Sequence, residues 1–173
     1  MASTFTPLGI EKMATGENAG TWGNKTNTNL ELIEQIAGGF TQQSIAGGAQ
    51  TTALSISDSG TGDVAGHRMI EFTGTITGNQ IVTIPNDIQN FYILKNSTSG
   101  AYTVQFKYAT GTGDSFTYSA TTKTTKIIFA SGNPDTTNPN MIEVQTGGDV
   151  VDDTSPQLGG NLDTNSFMID FDD

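Results

Sequence analysis

The sequence contains no cysteine. It can form neither a disulfide framework nor a thiolate metal site, which suits a protein assembled in a reducing cytoplasm. Basic residues are scarce as well, because 7 Lys and Arg face 18 Asp and Glu and leave a net charge of −11. Such a charge repels phosphate backbones and anionic lipid heads. We therefore expect no nucleic-acid partner and no membrane partner.

Long apolar runs are also missing. Only 34% of the residues are hydrophobic, and no run is long enough to span a bilayer. Residues 1–7 show neither the basic start nor the apolar core of a signal peptide, so we expect no Sec export. Glycine, in contrast, is abundant with 21 residues. This composition favours short strands joined by many turns over a bundle of long helices.

The sequence motifs of common catalytic sites are absent. His67 is the single histidine, so a histidine-dependent triad or zinc site would rest on that residue alone. There is no nucleophile elbow, no phosphate-binding glycine loop and no His-Glu-x-x-His motif. We therefore expect no enzyme, no catalytic residue and no cofactor, and we interpret His67 as a residue at the start of a strand.

Short segments of strand-like sequence follow the glycine-rich joint at residues 38–48. In residues 102–108 apolar and polar residues alternate, which is typical of a half-buried strand. Gly78-Asn79 is expected to form a tight hairpin. The pattern predicts a mostly β protein with an antiparallel β-sandwich or jelly-roll-like domain over residues 41–146. We predict strands at 51–57, 68–77, 80–84, 91–96, 101–108, 115–119, 126–130 and 141–144.

One short helix is predicted in the N-terminal segment, residues 1–40. Thr28 and Glu31 match a capping box, and Gly38 can supply a left-handed turn at the end of the helix. A helix of about ten residues is marginal in water, so its apolar face must pack on a partner. That partner is either another copy of the chain or the chain's own β-domain. Apolar residues recur at helical spacing at Leu30, Ile33, Ile36 and Ala37.

Acidic and glycine-rich motifs raise the question of calcium binding. The sequence Gly-Thr-Gly-Asp occurs at 60–63 and again at 111–114, and residues 147–173 carry seven acidic residues without a basic one. Calcium needs several oxygen ligands at fixed spacing, and neither feature supplies such a spacing. We interpret the two motifs as turns and residues 147–173 as an extended acidic linker. No metal site is predicted.

Aromatic residues could form either a core or a sugar-binding platform. Most of them fall on the inward register of predicted strands, so we assign them to the core. Trp22 and Tyr92 are the two exceptions for which we expect exposure. The aromatic residues assigned to the core are Phe72, Phe91, Phe106 and Phe129.

Two stretches resemble proteins of bacteriophage particles. Residues 9–23 (GIEKMATGENAGTWG), with 26–30 (TNTNL) and 33–35 (IEQ), resemble the N-terminal region of tail fibres of marine tailed phages, cyanophages especially. Residues 153–163 (DTSPQLGGNLD) resemble a segment where a fibre's head domain passes into its shaft. Residues 166–171 look like a new strand, so we expect the chain to be a piece of a longer protein.

The resemblance implies a structural protein of the phage virion, assembled in the bacterial host cytoplasm. It implies a homotrimer whose N-terminal part binds tail, baseplate or adaptor proteins, while a distal part beyond this sequence contacts the host surface. Large apolar side chains dominate protein interfaces. We therefore assign tail attachment or trimer contacts to Trp22, Leu30, Ile33 and Ile36.

Three other functions remain open. The β-domain could be a carbohydrate-binding module for the host surface, which would need exposed aromatic residues and polar loops on one face. The chain could be the non-catalytic head of a tailspike. It could also be a decoration protein of the phage head or collar, which differs from a fibre in location rather than in physics.

Overall fold

The computed structural model describes residues 2–132 and 136–144. The predicted acidic linker, 147–173, lies outside the described residues. One helix, α1 (Trp22–Gly38), and a short 3₁₀ helix (Val64–Gly66) accompany eleven strands. The strands are β1 (Thr4–Phe5), β2 (Glu11–Lys12), β3 (Phe40–Ser44), β4 (Gln50–Ala53), β5 (Met69–Thr73), β6 (Gln80–Ile84), β7 (Gln89–Asn96), β8 (Val104–Tyr108), β9 (Phe116–Tyr118), β10 (Thr125–Ser131) and β11 (Met141–Glu143).

Two mixed sheets form the body of the protein. The five-stranded sheet has the order β11-β10-β7-β5-β3, and the four-stranded sheet has the order β4-β6-β8-β9. Strands β3, β5 and β7 are parallel, and so are β4, β6 and β8. The chain therefore makes three successive turns of a coil, each of which adds one strand to each sheet. Strands β9, β10 and β11 then continue the sheets in antiparallel fashion.

The core lies between the two sheets. Phe72 of β5 and Tyr92 of β7 contact Phe106 of β8, with ring centroids 6.3 and 5.5 Å apart. All three side chains are fully buried. The buried tyrosine hydroxyls donate to backbone carbonyls, as Tyr92 Oη does to Ala65 O at 2.7 Å. Burial raises the pKa of Tyr92 far above its usual value, so this hydroxyl stays a donor at any ordinary pH.

The prediction of a mostly β protein with one helix is confirmed, but the prediction of an antiparallel sandwich is wrong. From β3 to β8, consecutive strands lie in opposite sheets. Each of these strands therefore pairs with the next strand but one along the chain. Sequence spacing shows where strands occur and not which strands they pair with. Each of the eight predicted strands overlaps one of β4 to β11, whereas β1, β2 and β3 were not predicted.

The predicted hairpin at Gly78-Asn79 is also wrong, because the chain there passes from one sheet to the other. The lack of a side chain at Gly78 serves close packing, since an added Cβ would lie 2.3 Å from Ala49 N of the preceding turn. Gln80 completes this corner. Its buried Nε2 donates to Gly48 O at 2.7 Å and to Gly78 O at 2.8 Å, so one amide joins two neighbouring corners.

Both Gly-Thr-Gly-Asp motifs lie in turns, as predicted. Gly62 and Gly111 have positive φ angles of 95° and 90°. Asp63 Oδ2 accepts the backbone N–H of Ser57 at 2.5 Å and closes the first loop. In the second, Asn140 Oδ1 accepts the backbone N–H of Asp114 at 2.8 Å. The carboxylate of Asp63 therefore closes its own loop, whereas the second loop is held through the backbone of Asp114.

Helix α1 begins at Trp22, six residues earlier than predicted, and has 17 residues. The predicted capping box is wrong because Thr28 lies inside the helix, and Thr21 is the residue that precedes its first turn. The predicted left-handed end is wrong too, since the chain leaves through Gly39 with an extended φ of −66° and ψ of 141°. Four of the five residues at 24–28 are asparagine or threonine, which are poor helix formers, so contacts with the rest of the protein must hold these first turns.

Candidate docking surface

One face of α1 is held by the chain's own N-terminal hairpin, β1–β2. Asn29 Oδ1 accepts the backbone N–H of Glu11 at 2.9 Å, and Asn29 Nδ2 donates to Glu11 O at 2.8 Å. Lys25 Nζ lies 2.9 Å from Glu11 Oε2. The hydrogen bond from Lys25 holds the pKa of Glu11 below its usual value against the effect of desolvation. These contacts stabilise the helical turns that the sequence alone disfavours.

The same face continues onto the β-domain. Gln35 Oε1 accepts the backbone N–H of Gly62 at 2.8 Å, and Gln35 Nε2 donates to Asp63 O at 3.2 Å. Leu32 is 2% exposed and is the buried apolar residue of the helix. The helix therefore packs on its own protein, which was one of the two alternatives left open by the sequence.

The hairpin itself is seated on a loop of the β-domain. Gly9 has φ +77°, and a Cβ at this position would lie 2.5 Å from Ser57 O. The backbone N–H of Ser59 donates to Gly9 O at 2.9 Å. The N-terminal segment is thus fixed at three points, through Gly9, Asn29 and Gln35. All three belong to the sequence stretches that carry the phage resemblance.

The other face of α1 presents apolar side chains to solvent. Trp22 is 65% exposed, Leu30 58% and Ile33 50%. At 100° per residue these three positions fall within about 80° of one another, on a different side from Leu32. We call Trp22, Leu30 and Ile33 the helix stripe. Ile36, the fourth residue assigned to the interface, is partly buried beside it.

Exposed acidic residues accompany the helix stripe. Glu31 and Glu34 lie on the same helix and are exposed. Of the seven basic residues, three form ion pairs with glutamates elsewhere in the described part of the chain: Lys25, Lys95 and Lys126. The helix therefore offers a partner an apolar stripe beside unpaired negative charge.

A second apolar surface lies on the outer face of the five-stranded sheet. Strand register places seven side chains there in two cross-strand rows. Within these rows Phe40 is 53% exposed and Phe91 and Ile142 are each 48% exposed. We call this surface the sheet face. One row contains Phe40, Met69, Ile93 and Ile127, and the other contains Phe91, Phe129 and Ile142.

The sheet face reverses two predictions about aromatic residues. Phe91 was assigned to the core and is exposed, whereas Tyr92 was expected to be exposed and is fully buried. The side chains of these two consecutive residues point to opposite faces of β7. An error of one residue in the predicted register therefore exchanges the buried and the exposed position. Phe72 and Phe106 are buried and Trp22 is exposed, as predicted, while Phe129 is partly buried.

Other kinds of site are not evident in the described residues. His67 follows the 3₁₀ helix two residues before β5, as interpreted from the sequence, and its Nδ1 lies 2.9 Å from Asp63 O. No group of three His, Cys, Asp or Glu within residues 2–132 and 136–144 could hold a metal ion. No helix in this part of the chain has the length and apolarity to cross a membrane.

Comparison with models of known protein families, with curated proteins and with solved structures finds no significant match to this chain. The two apolar surfaces are therefore the observations from which function can be argued.

Proposed function

We propose that this chain is a structural protein of a tailed-phage virion: the N-terminal part of a homotrimeric tail fibre, attached to the tail through helix α1. The observation that carries the proposal is the helix stripe, because its three large apolar side chains are not used by the protein's own fold. A mid-sized soluble protein gains nothing from exposing Trp, Leu and Ile together, and such groups commonly mark protein contacts.

The sequence stretches that resemble phage tail fibres support this assignment because they contain two kinds of residue: some hold the helix in place and others remain exposed. Glu11, Asn29 and Gln35 hold the helix in place. Trp22 and Leu30, from the same stretches, remain on the surface. A stretch that fixes a helix and at the same time presents a free apolar stripe has the properties of an attachment element.

The charge of the helix indicates what the tail protein must offer. A partner that buries the helix stripe also approaches Glu34, which is exposed and lies about 40° around the helix from Leu30. Burying this carboxylate without a counter-charge would be costly. The partner surface therefore consists of an apolar groove with lysine or arginine at its rim, on a tail, baseplate or adaptor protein.

The experiment that tests the proposal counts copies of this protein on purified phage particles. Trp22→Ala should lower the number of copies per particle severalfold, because a tryptophan anchor at an interface is worth about 2 kcal/mol or more. Asn24→Ala, an exposed position on the same helix, is the matched control and should leave the number unchanged. Normal occupancy with Trp22→Ala would reject attachment through this stripe.

A carbohydrate-binding module is the second candidate, and one observation favours it. Phe91 and Phe129 form an accessible pair on the sheet face with ring centroids 4.8 Å apart. The three aromatic residues with the largest exposure, however, lie on separate elements: Trp22 on α1, Phe40 on β3 and Phe91 on β7. Binding of the purified protein on a glycan array, lost in Phe91→Ala, would favour this candidate over the fibre.

A further inference from the structure

The two outer faces of the β-domain differ in polarity. On the four-stranded sheet the outward side chains of β8 and β9 are Gln105, Lys107 and Thr117, and Ile81 of β6 is a partly buried apolar side chain next to Gln105. On the five-stranded sheet the corresponding surface is the sheet face, with its two apolar rows. A sheet that is polar on its solvent side needs no cover, whereas an apolar outer face is covered in the assembled protein.

The carboxylate on the sheet face already has a counter-charge within the chain. Glu71 lies on this face, where Lys95 Nζ approaches its Oε1 to 2.7 Å and Gln42 Nε2 donates to its Oε2 at 2.7 Å. The guanidinium of Arg68 donates to the neutral carbonyl Phe91 O at 2.8 Å and keeps its positive charge. The charged groups named here are therefore one ion pair and one cation, without an unpaired carboxylate.

The lack of an unpaired carboxylate on the sheet face favours one kind of partner. A symmetric assembly that directs one face toward its axis brings the same residues of every copy together. A face with charge of one sign would repel its own copies, as the helix bearing Glu31 and Glu34 would. The sheet face adds no unpaired carboxylate to such a contact, although the whole chain has a net charge of −11.

The area of the sheet face also fits an interface with another copy of this chain. Its seven side chains leave on the order of 400 Å² of apolar area accessible, within the range of roughly 300 to 600 Å² that marks the largest and often functional patch of a protein. Because interfaces are a little more than half apolar, this corresponds to about 700 Å² in total, close to the roughly 800 Å² that each partner buries in a specific complex.

We infer that the sheet face is the surface through which copies of this chain assemble. The strands β3, β5, β7, β10 and β11 of each copy face the symmetry axis, and α1 is left free for the tail. The inference deepens the proposed function, and it rests on that proposal only for the number of copies, three.

The test measures the mass of the purified chain in solution by light scattering across a dilution series. The wild-type chain is expected as an oligomer, and Phe91→Glu as a single chain of 18.2 kDa. Placing like charges of several copies together should weaken assembly on the order of a hundredfold or more. Thr117→Glu, an exposed outward position on the four-stranded sheet, is the matched control and should keep the wild-type mass.

Two results would overturn the inference. One is a wild-type chain that stays monomeric at every concentration, and the other is an oligomer that Phe91→Glu leaves intact. If Leu30→Glu dissociates the oligomer and Phe91→Glu does not, copies meet through the helix instead. Attachment to the tail is judged separately, by occupancy of particles with Trp22→Ala, so failure of one proposal is distinguishable from failure of the other.

A second measurement covers the case in which Phe91→Glu does not fold. The chain has no cysteine, so a single introduced thiol reports its own surroundings. Thr125→Cys lies at the rim of the sheet face, opposite Lys95, and should form disulfide-linked chains under mild oxidation. Thr117→Cys should not. Equal cross-linking of the two variants, or none in either, contradicts the inference.

Discussion

Asn29 on α1 pairs with both backbone groups of Glu11 on β2, accepting from its N–H at 2.9 Å and donating to its C=O at 2.8 Å. The side-chain amide of Asn29 thus makes the two hydrogen bonds that a neighbouring strand would make to the backbone of Glu11. Because Glu11 is 6% exposed, water cannot easily replace these bonds. The orientation of the helix, and with it the direction of the helix stripe, depends on this pairing.

Replacement of Asn29 by alanine should therefore loosen the helix from the hairpin. We expect Asn29→Ala to lower the free energy of unfolding by about 2 kcal/mol, since two partly buried hydrogen bonds are lost. Asn27→Ala, at an exposed position two residues away, should change it by less than about 0.5 kcal/mol. Urea denaturation followed by circular dichroism measures both. Equal effects of the two substitutions would show that the pairing does not hold the helix.

Neighbouring residues on α1 should separate folding from docking. Leu32→Ala should cost about 3 kcal/mol of stability, because a buried leucine is replaced by a cavity. Ile33→Ala, at a half-exposed position, should cost less than about 1 kcal/mol. Thermal unfolding of the two variants compares them directly. A large loss for Ile33→Ala would mean that the helix stripe belongs to the protein's own core.

Acid should destabilise the protein through Glu71. The hydrogen bond from Lys95, with further bonds from Ser97 and Gln42, lowers the pKa of Glu71 from 4.5 to about 2. A carboxyl group with a depressed folded-state pKa stabilises the protein above its unfolded-state pKa, and this contribution is lost as the pH falls from about 4.5 toward 2. Glu71→Gln should therefore flatten the dependence of stability on pH in that window.

The control for this prediction is Glu34→Gln, because Glu34 is exposed on α1 and has no part in the Glu71 network. It should keep the wild-type dependence of the melting temperature on pH. If Glu71→Gln retains the same acid sensitivity as the wild-type chain, other carboxyl groups are responsible for it.

The single tryptophan is a built-in reporter of the helix stripe. Since Trp22 is 65% exposed, its fluorescence in the isolated chain should resemble that of a solvated indole and be quenched readily by acrylamide. If copies assemble through the sheet face, this emission should not change across the dilution series in which the mass changes. A blue shift on assembly would place Trp22 between copies and contradict a free helix.

The sequence was sufficient to locate most of the strands and not to arrange them. Turn residues and short alternating segments located eight strands, because these depend on neighbours along the chain. The parallel coil depends on contacts between residues a full turn apart, such as Gly78 against Ala49, which no local pattern records. The start of α1 was missed for a similar reason, since its first turns depend on Glu11.

Of the two apolar surfaces, the helix stripe was predicted from the sequence and the sheet face was not. Leu30 and Ile33 were assigned to an interface from the helical period and Trp22 as a large aromatic anchor, and all three are exposed on one side of α1. The sheet face was not predicted, because β7 is apolar on both sides and its alternation is lost. In such a strand the sequence does not distinguish Phe91 from Tyr92 as the core residue.

The central claim is that the helix stripe binds a protein of the phage tail. The most direct measurement is the number of copies of this protein on purified particles that carry Leu30→Glu with Ile33→Glu, compared with particles that carry Asn27→Glu. We predict that the double substitution lowers occupancy at least about tenfold, because two charges enter an apolar contact, while Asn27→Glu retains the wild-type number. Equal occupancy on both kinds of particle would contradict the claim.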